Sequence, residues 1–266
     1  MEYKIGTNLT FRSVETEWDV CFDMALTMLD TIMRNHAAGK RTVMIVPVGP
    51  TGQYPLLASL VNQLEIPLKN VYFFNMDEYM DTPKLTIDPE HPMSFRHRMN
   101  TEFYSRVNPA LIMPEDQRLF PAPGKEAMYD DMLESLGGAD LCLGGLGING
   151  HLAFNEAAEE DAPITAEEFG SLGTRVLPIT RETRTINAYS YQRGDLRGMP
   201  EWCITIGMKQ ILSSRAVYIA LNRPWQHGIA KRVLFDKIQP QIPATLLRTH
   251  GNVRFCASKE ITNGLF

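Results

Sequence analysis

The sequence predicts an α/β fold: a Rossmann-like, mostly parallel sheet with helices on both faces. Three observations carry this. Continuously apolar runs rich in β-branched and aromatic residues recur along the chain, as in strands buried on both faces. Patterns of helical period lie between them. With 266 residues and 44% hydrophobic content, the chain can bury one large core, and its Pro and Gly residues are scattered as loop punctuation rather than gathered into a linker. A single domain spanning 1–266 is expected, without internal repeats or charged tails.

In chain order, Trp18, Cys21, Phe22, Ala25, Leu29, Ile32 and Met33 recur at spacings of three and four before Gly39, predicting a helix whose aromatic and methionine stripe faces the core. Strands are expected at Thr42–Val46, Val71–Phe74, Leu141–Leu143, Ala216–Leu221 and Val253–Cys256, and a helix over Leu56–Val61. In such a sheet ligands collect beyond the carboxyl ends of the strands, so the post-strand loops should carry the site. Between Glu156 and Ser171, Glu159-Glu160-Asp161, Pro163 and Gly170 show no clean period. A surface excursion is expected here, either a lid over the site, around 157–190, or a solvated acidic loop.

The formal net charge of −5 offers no general attraction for nucleic acid or anionic lipid, so an anionic ligand must be met by local cations and backbone amides. Neither a secretory signal in Met1–Asn8 nor an apolar membrane span is visible, so a cytoplasmic protein is expected. Cys21, Cys142, Cys203 and Cys256 are widely spaced among apolar neighbours, fitting buried thiols better than disulfides or a zinc site.

Three post-strand loops have chemistry to offer. Pro47-Val48-Gly49-Pro50-Thr51-Gly52 leads into the helix near Leu56, where first-turn N–H groups can hold a phosphate, although many strand–helix turns need glycine for steric reasons alone. The Gly-Lys-Ser/Thr ending of a Walker loop is missing. Asn75-Met76-Asp77-Glu78-Tyr79 follows a strand, where a partly buried acid can act as a base; an exposed acidic turn is the alternative. Gly145-Leu146-Gly147-Ile148-Asn149-Gly150 fits the G-x-G-x-x-G spacing, yet His151, Phe154-Asn155-Glu156 and then Pro163 follow instead of a regular helix, which favours a site loop over a dinucleotide fingerprint. His151 and Glu156 are a candidate proton-exchanging pair.

Phe74-Asn75-Met76-Asp77-Glu78-Tyr79 and Gly144–Glu156 together resemble the two signature segments of glucosamine-6-phosphate isomerase/deaminases. Supporting matches are the Pro47–Thr51 loop, His91-Pro92 with Ser94-Phe95, Thr183-Arg184 with Asn187, and Pro200-Glu201-Trp202 followed by Thr205–Met208. The resemblance implies a Rossmann-like sheet with a mobile lid and, often in this family, a homo-oligomer, trimer or hexamer. It also implies conversion of an amino-sugar 6-phosphate to fructose 6-phosphate and ammonia, with no metal or redox cofactor. By the same resemblance Asp77 is the base of the isomerisation, His151 assists ring opening, Glu156 orients it, and Gly49, Pro50, Thr51 and Arg184 hold the phosphate.

Two positions depart from the family pattern. Asn149 stands where the motif has an aspartate; an amide cannot offset the histidine's positive charge, which lowers its basicity, but it can still orient the ring. Asn222-Arg223-Pro224-Trp225-Gln226 stands where the family places a phosphate-binding lysine; Arg223 is the candidate substitute, although a planar fork and a point charge are not interchangeable. An altered substrate or weakened ring opening is the expectation. The rival readings are a 6-phosphogluconolactonase-like hydrolase and a sugar-phosphate sensor without turnover.

Overall fold

The computed structural model describes residues 1–5 and 8–266; Gly6 and Thr7, part of the N-terminal stretch discussed above, lie outside the described residues. Its strands are β1 (Glu2–Ile5), β2 (Leu9–Val14), β3 (Thr42–Val46), β4 (Val71–Asn75), β5 (Asp77–Thr82), β6 (Leu85–Thr86), β7 (Arg118–Leu119), β8 (Leu141–Gly145), β9 (Arg175–Pro178), β10 (Trp202–Thr205), β11 (Val217–Leu221) and β12 (Val253–Ser258). Eight form one sheet in the order β1-β2-β12-β11-β8-β3-β4-β7, parallel except for the β1–β2 pair. All five expected strands are central members of this sheet.

Alternation along these strands divides the core into two layers. Met44 and Val46 of β3, Phe73 of β4 and Leu141 and Leu143 of β8 point to one face, packed by α1 (Glu17–Ala37), α2 (Gln53–Gln63) and α3 (Phe95–Met99). Val43, Ile45, Phe74 and Cys142 point to the other, covered by α4 (Glu126–Ser135), α5 (Ala166–Gly170), α7 (Met208–Leu212), α8 (Gln226–Phe235) and α9 (Lys259–Thr262), while α6 (Arg181–Tyr191) follows β9. Burial on both faces is why the strand sequences read as unbroken apolar runs; each fully buried Phe, Ile or Met contributes about 1.5–3 kcal/mol.

The stripe on α1 is corrected by the structure. The buried side of the helix is Val20, Cys21, Met24, Ala25, Met28, Leu29 and Ile32, whereas Trp18 is 66%, Phe22 46% and Met33 45% exposed. A 21-residue helix carries more apolar positions than one face can bury, and spacing alone does not say which arc meets the sheet. The four cysteines are all free and buried.

A second, antiparallel sheet, β6-β5-β10-β9, stands beside the first. The residues after β4 are therefore not a post-strand turn: the chain passes through Met76 straight into β5, and Asp77 and Glu78 are buried. Segment 157–190 contains α5, whose Thr165–Glu168 capping box starts it, then β9, paired with β10, and α6.

Candidate active site

From β3 the chain runs to β4 and β7 on one side of the sheet, while β8, β11 and β12 build the other side. The loops leaving β3 and β8 diverge at this switch point and leave a crevice beyond the strand ends. A cavity of about 370 Å³ opens there, lined by the Pro47–Gly52 loop, Asp77 and Tyr79 of β5, and Gly147 and His151 after β8.

The Asp77-Glu78 pair divides into two roles because neighbours on a strand face opposite ways. Asp77 lines the cavity yet is only 6% exposed; burial, and then the charge of Glu78, holds its carboxyl well above the usual carboxylate range. Glu78 is a clasp for the start of α3. Its oxygens accept from Ser94 Oγ at 2.9 Å and from the backbone N–H groups of Phe95 at 2.8 Å, Arg96 at 3.0 Å and Tyr79 at 2.9 Å. Burial raises this carboxyl too, with the four hydrogen bonds opposing.

The loop after β8 holds a relay. Asn149 Nδ2 donates to Glu156 Oε2 at 2.8 Å, and Asn149 Oδ1 faces His151, 3.2 Å from its backbone N–H and 2.7 Å from Nδ1. Only the amide nitrogen can donate to a carboxylate, so Glu156 sets which way the Asn149 amide points. The oxygen turned toward His151 then requires a proton on Nδ1, so that in the neutral ring Nε2 is the acceptor. Thr180 and Thr183 hydroxyls each donate to Glu156 Oε2 at 3.0 Å, and His151 Nδ1 lies 3.5 Å from the same oxygen. Burial alone would raise the Glu156 carboxyl, but the charge of His151 and the bonds from His151, Asn149 and Thr183 outweigh it and hold it at about 2.

Tight packing explains the glycines. A Cβ on Gly147 would stand 2.1 Å from His151 Cε1, and one on Gly145 2.7 Å from the Gly49 carbonyl, so the two loops touch through bare backbone. Gly150 has φ +85° and Ala153 φ +54°, the latter an uncommon conformation for a residue with a side chain. The far end of the loop is tied to β10: Thr205 Oγ1 accepts from Phe154 N–H at 3.0 Å, and Asn155 Nδ2 donates to the Ile206 carbonyl at 2.9 Å. No helix follows the glycines until α5, consistent with a site loop rather than a dinucleotide fingerprint.

Gly49, Pro50 and Thr51 line the cavity directly before α2, whose first turn has no side-chain cap on its N–H groups. Arg184 is placed otherwise. It is not among the cavity walls and pairs with Glu201 at 3.0 Å. The guanidinium groups that do line the cavity belong to Arg98 of α3 and Arg223 after β11. Gln226 shapes the latter loop: its Oε1 accepts from Asn222 N–H at 2.8 Å and Arg223 N–H at 2.9 Å, and its Nε2 donates to the Leu146 carbonyl at 2.8 Å.

Helix α6 meets site residues at three points. Thr183 reaches Glu156, Asn187 Nδ2 donates to Tyr79 Oη at 3.0 Å, and the Tyr191 ring lies 4.8 Å from the Arg98 guanidinium carbon. Sequence reasoning did not find Arg98, Tyr191, Thr180 or Gln226. Each sits outside the glycine-rich loops and the paired acids that drew attention, and only Gln226, inside the run that departs from the family pattern, carried a local signal. Among the described residues no group of three or more His, Cys, Asp and Glu side chains is gathered to hold a metal ion.

No family model matches the chain. It is 30% identical over 213 residues to the glucosamine-6-phosphate deaminase of Halothermothrix orenii strain H 168, an overlap of 79% of this chain and 82% of that protein. Among solved structures, a monomeric glucosamine-6-phosphate deaminase of the NagB superfamily superposes with a TM-score of 0.80 at 23% identity, over 95% of this chain and 98% of the other. The 6-phosphogluconolactonase from Trypanosoma cruzi superposes with a TM-score of 0.70 at 14% identity, over 99% and 98%. The two structural likenesses speak to fold, and both proteins act on sugar phosphates. On the sequence identity and its extent, the chain belongs to the glucosamine-6-phosphate deaminase family.

Proposed function

We propose that this chain is an aldose–ketose isomerase/deaminase that converts an amino-sugar 6-phosphate, glucosamine 6-phosphate or a close relative, into fructose 6-phosphate and ammonia. The observation that carries the reading is one cavity lined by Asp77, His151 and the Gly49–Thr51 loop, with the Asn149–Glu156 relay behind the histidine. His151 Nε2 takes the proton of the anomeric hydroxyl and returns it to the ring oxygen, opening the pyranose. Asp77 then removes the proton at C2 and delivers it to C1, while the C2 amino group gives up a proton and O1 gains one; water hydrolyses the resulting C2 imine, and ammonia leaves. A buried carboxyl of raised basicity is better matched to a carbon acid than an ordinary exposed aspartate.

Asn149 serves in this scheme as a relay. It passes orientation from Glu156 to His151, while Glu156 Oε2, 3.5 Å from Nδ1, offsets part of the imidazolium charge that a neutral amide cannot. Gly49, Pro50 and Thr51 supply the phosphate cradle at the start of α2. Segment 157–190 is the lid, with α6 as the part that touches the site. Arg184, the guanidinium that the resemblance assigns to the phosphate, is held by Glu201 at 3.0 Å in the conformation described.

The test is release of ammonia and ketose phosphate from glucosamine 6-phosphate and galactosamine 6-phosphate by the native chain, Asn149→Asp and Asp77→Asn. Native turnover that disappears in Asp77→Asn supports the reading. Hydrolysis of 6-phosphogluconolactone without ammonia release would replace it with a lactonase, and tight binding of fructose 6-phosphate without any turnover would leave a sensor.

A further inference from the structure

Arg98 has no assigned part in the chemistry above, and three features single it out. It lines the cavity from the last turn of α3, and among the described residues its guanidinium is paired with no carboxylate; its described neighbour is the Tyr191 ring, 4.8 Å away. Tyr191 also reaches the phosphate cradle, its hydroxyl lying 3.7 Å from where a Cβ on Gly49 would stand. One tyrosine thus stands with its ring against the Arg98 guanidinium and its hydroxyl toward the open side of Gly49.

The other cations are worse placed for an anion on that cradle. Arg184 pairs with the exposed Glu201 through Nη1 at 3.0 Å, its Nε is buried without a partner, and it stands outside the cavity walls. Arg223 is about half exposed at the mouth, 3.9 Å from Glu17, so solvent and a carboxylate both weaken its pull. The loop after β11 cannot make up the deficit with the Asn222 and Arg223 amides, because Gln226 Oε1 already accepts both.

We propose that Arg98 is a specificity-determining residue that binds the phosphate of the substrate seated on Gly49–Thr51, with Tyr191 stacked on the guanidinium to hold its fork toward the cradle. The inference rests on the sugar-phosphate reading and adds a contact from α3 to it. Stacking leaves the five N–H donors of arginine in the guanidinium plane free for phosphate oxygens, an arrangement that a lysine cannot reproduce.

The test is calorimetric titration of the full chain with fructose 6-phosphate, inorganic phosphate and unphosphorylated fructose, and steady-state kinetics on glucosamine 6-phosphate. The variants are Arg98→Gln, Arg98→Lys, Arg184→Gln, Tyr191→Phe and Tyr191→Leu. Loss of a charge-assisted hydrogen bond predicts that Arg98→Gln weakens fructose 6-phosphate and inorganic phosphate by about 10- to 100-fold, with KM rising more than kcat falls. Arg98→Lys should recover part of the loss, and Tyr191→Phe, which keeps the ring, should cost less than Tyr191→Leu. Should Arg98→Gln fold poorly, the Arg98→Lys deficit and the Tyr191 pair carry the same comparison. Native binding of fructose 6-phosphate that is unchanged in Arg98→Gln, or weakened only in Arg184→Gln, overturns the proposal and leaves the sugar-phosphate reading standing. A native chain that binds neither fructose 6-phosphate nor inorganic phosphate overturns both.

Discussion

Replacing Glu156 by Gln keeps the shape of the side chain and an oxygen for Asn149, Thr180 and Thr183, but removes the charge that organises the relay. The carboxyl sits at about 2 in the fold against 4.5 ordinarily, a gap worth about 3 kcal/mol at neutral pH. Because the folded value is the lower one, this stability is fully present above pH 4.5 and is lost as the pH falls toward 2. At pH 3 about 1.4 kcal/mol of it should remain. Urea unfolding of the native chain and Glu156→Gln at pH 7 and pH 3 reads both differences directly, provided m is unchanged. The destabilisation should shrink by roughly half between the two pH values. A Gln variant as stable as the native chain at pH 7, or a deficit equal at both pH values, would refute the argument that the buried ion and its donors stabilise this loop.

Asp77→Asn should abolish isomerisation yet raise the thermal midpoint. The folded carboxyl is raised, so its contribution is present below the ordinary aspartate value and lost as pH rises; the gain from the amide should therefore grow with pH, which thermal unfolding from pH 5 to 8 checks. The same shift should move the acid limb of the native kcat profile above the ordinary carboxylate range, which a pH–rate series measures. Gly147→Ala places a methyl 2.1 Å from His151 Cε1, and displacing that ring should lower kcat by about 100-fold in steady-state assays. Gln226→Leu removes two hydrogen bonds that shape the loop after β11 and a third that ties it to the loop after β8; a loss of about 2–3 kcal/mol in urea unfolding and a higher KM are expected.

The sequence by itself determined the central sheet and the glycine positions of the loop after β8. Thr42–Val46, Val71–Phe74, Leu141–Leu143, Ala216–Leu221 and Val253–Cys256 all announce themselves because a strand buried on both faces has to be apolar throughout. Gly147 and Gly150 were visible for a similar reason: where backbone must approach a ring or turn to positive φ, only one residue type fits, and the requirement is written at a single position. The small sheet was not visible. Its strands are short, β5 begins with two acids, and its partners β9 and β10 come from about 100 residues further along the chain. Tertiary structure alone decided that Asp77 faces the cavity while Glu78 clasps α3, that Trp18, Phe22 and Met33 stay exposed, and that Arg98 rather than Arg184 lines the cavity walls. Periodicity and backbone freedom are local properties that a short stretch records. Which arc of a helix is covered, and which partner a charge meets, depend on groups brought together from distant parts of the chain by packing.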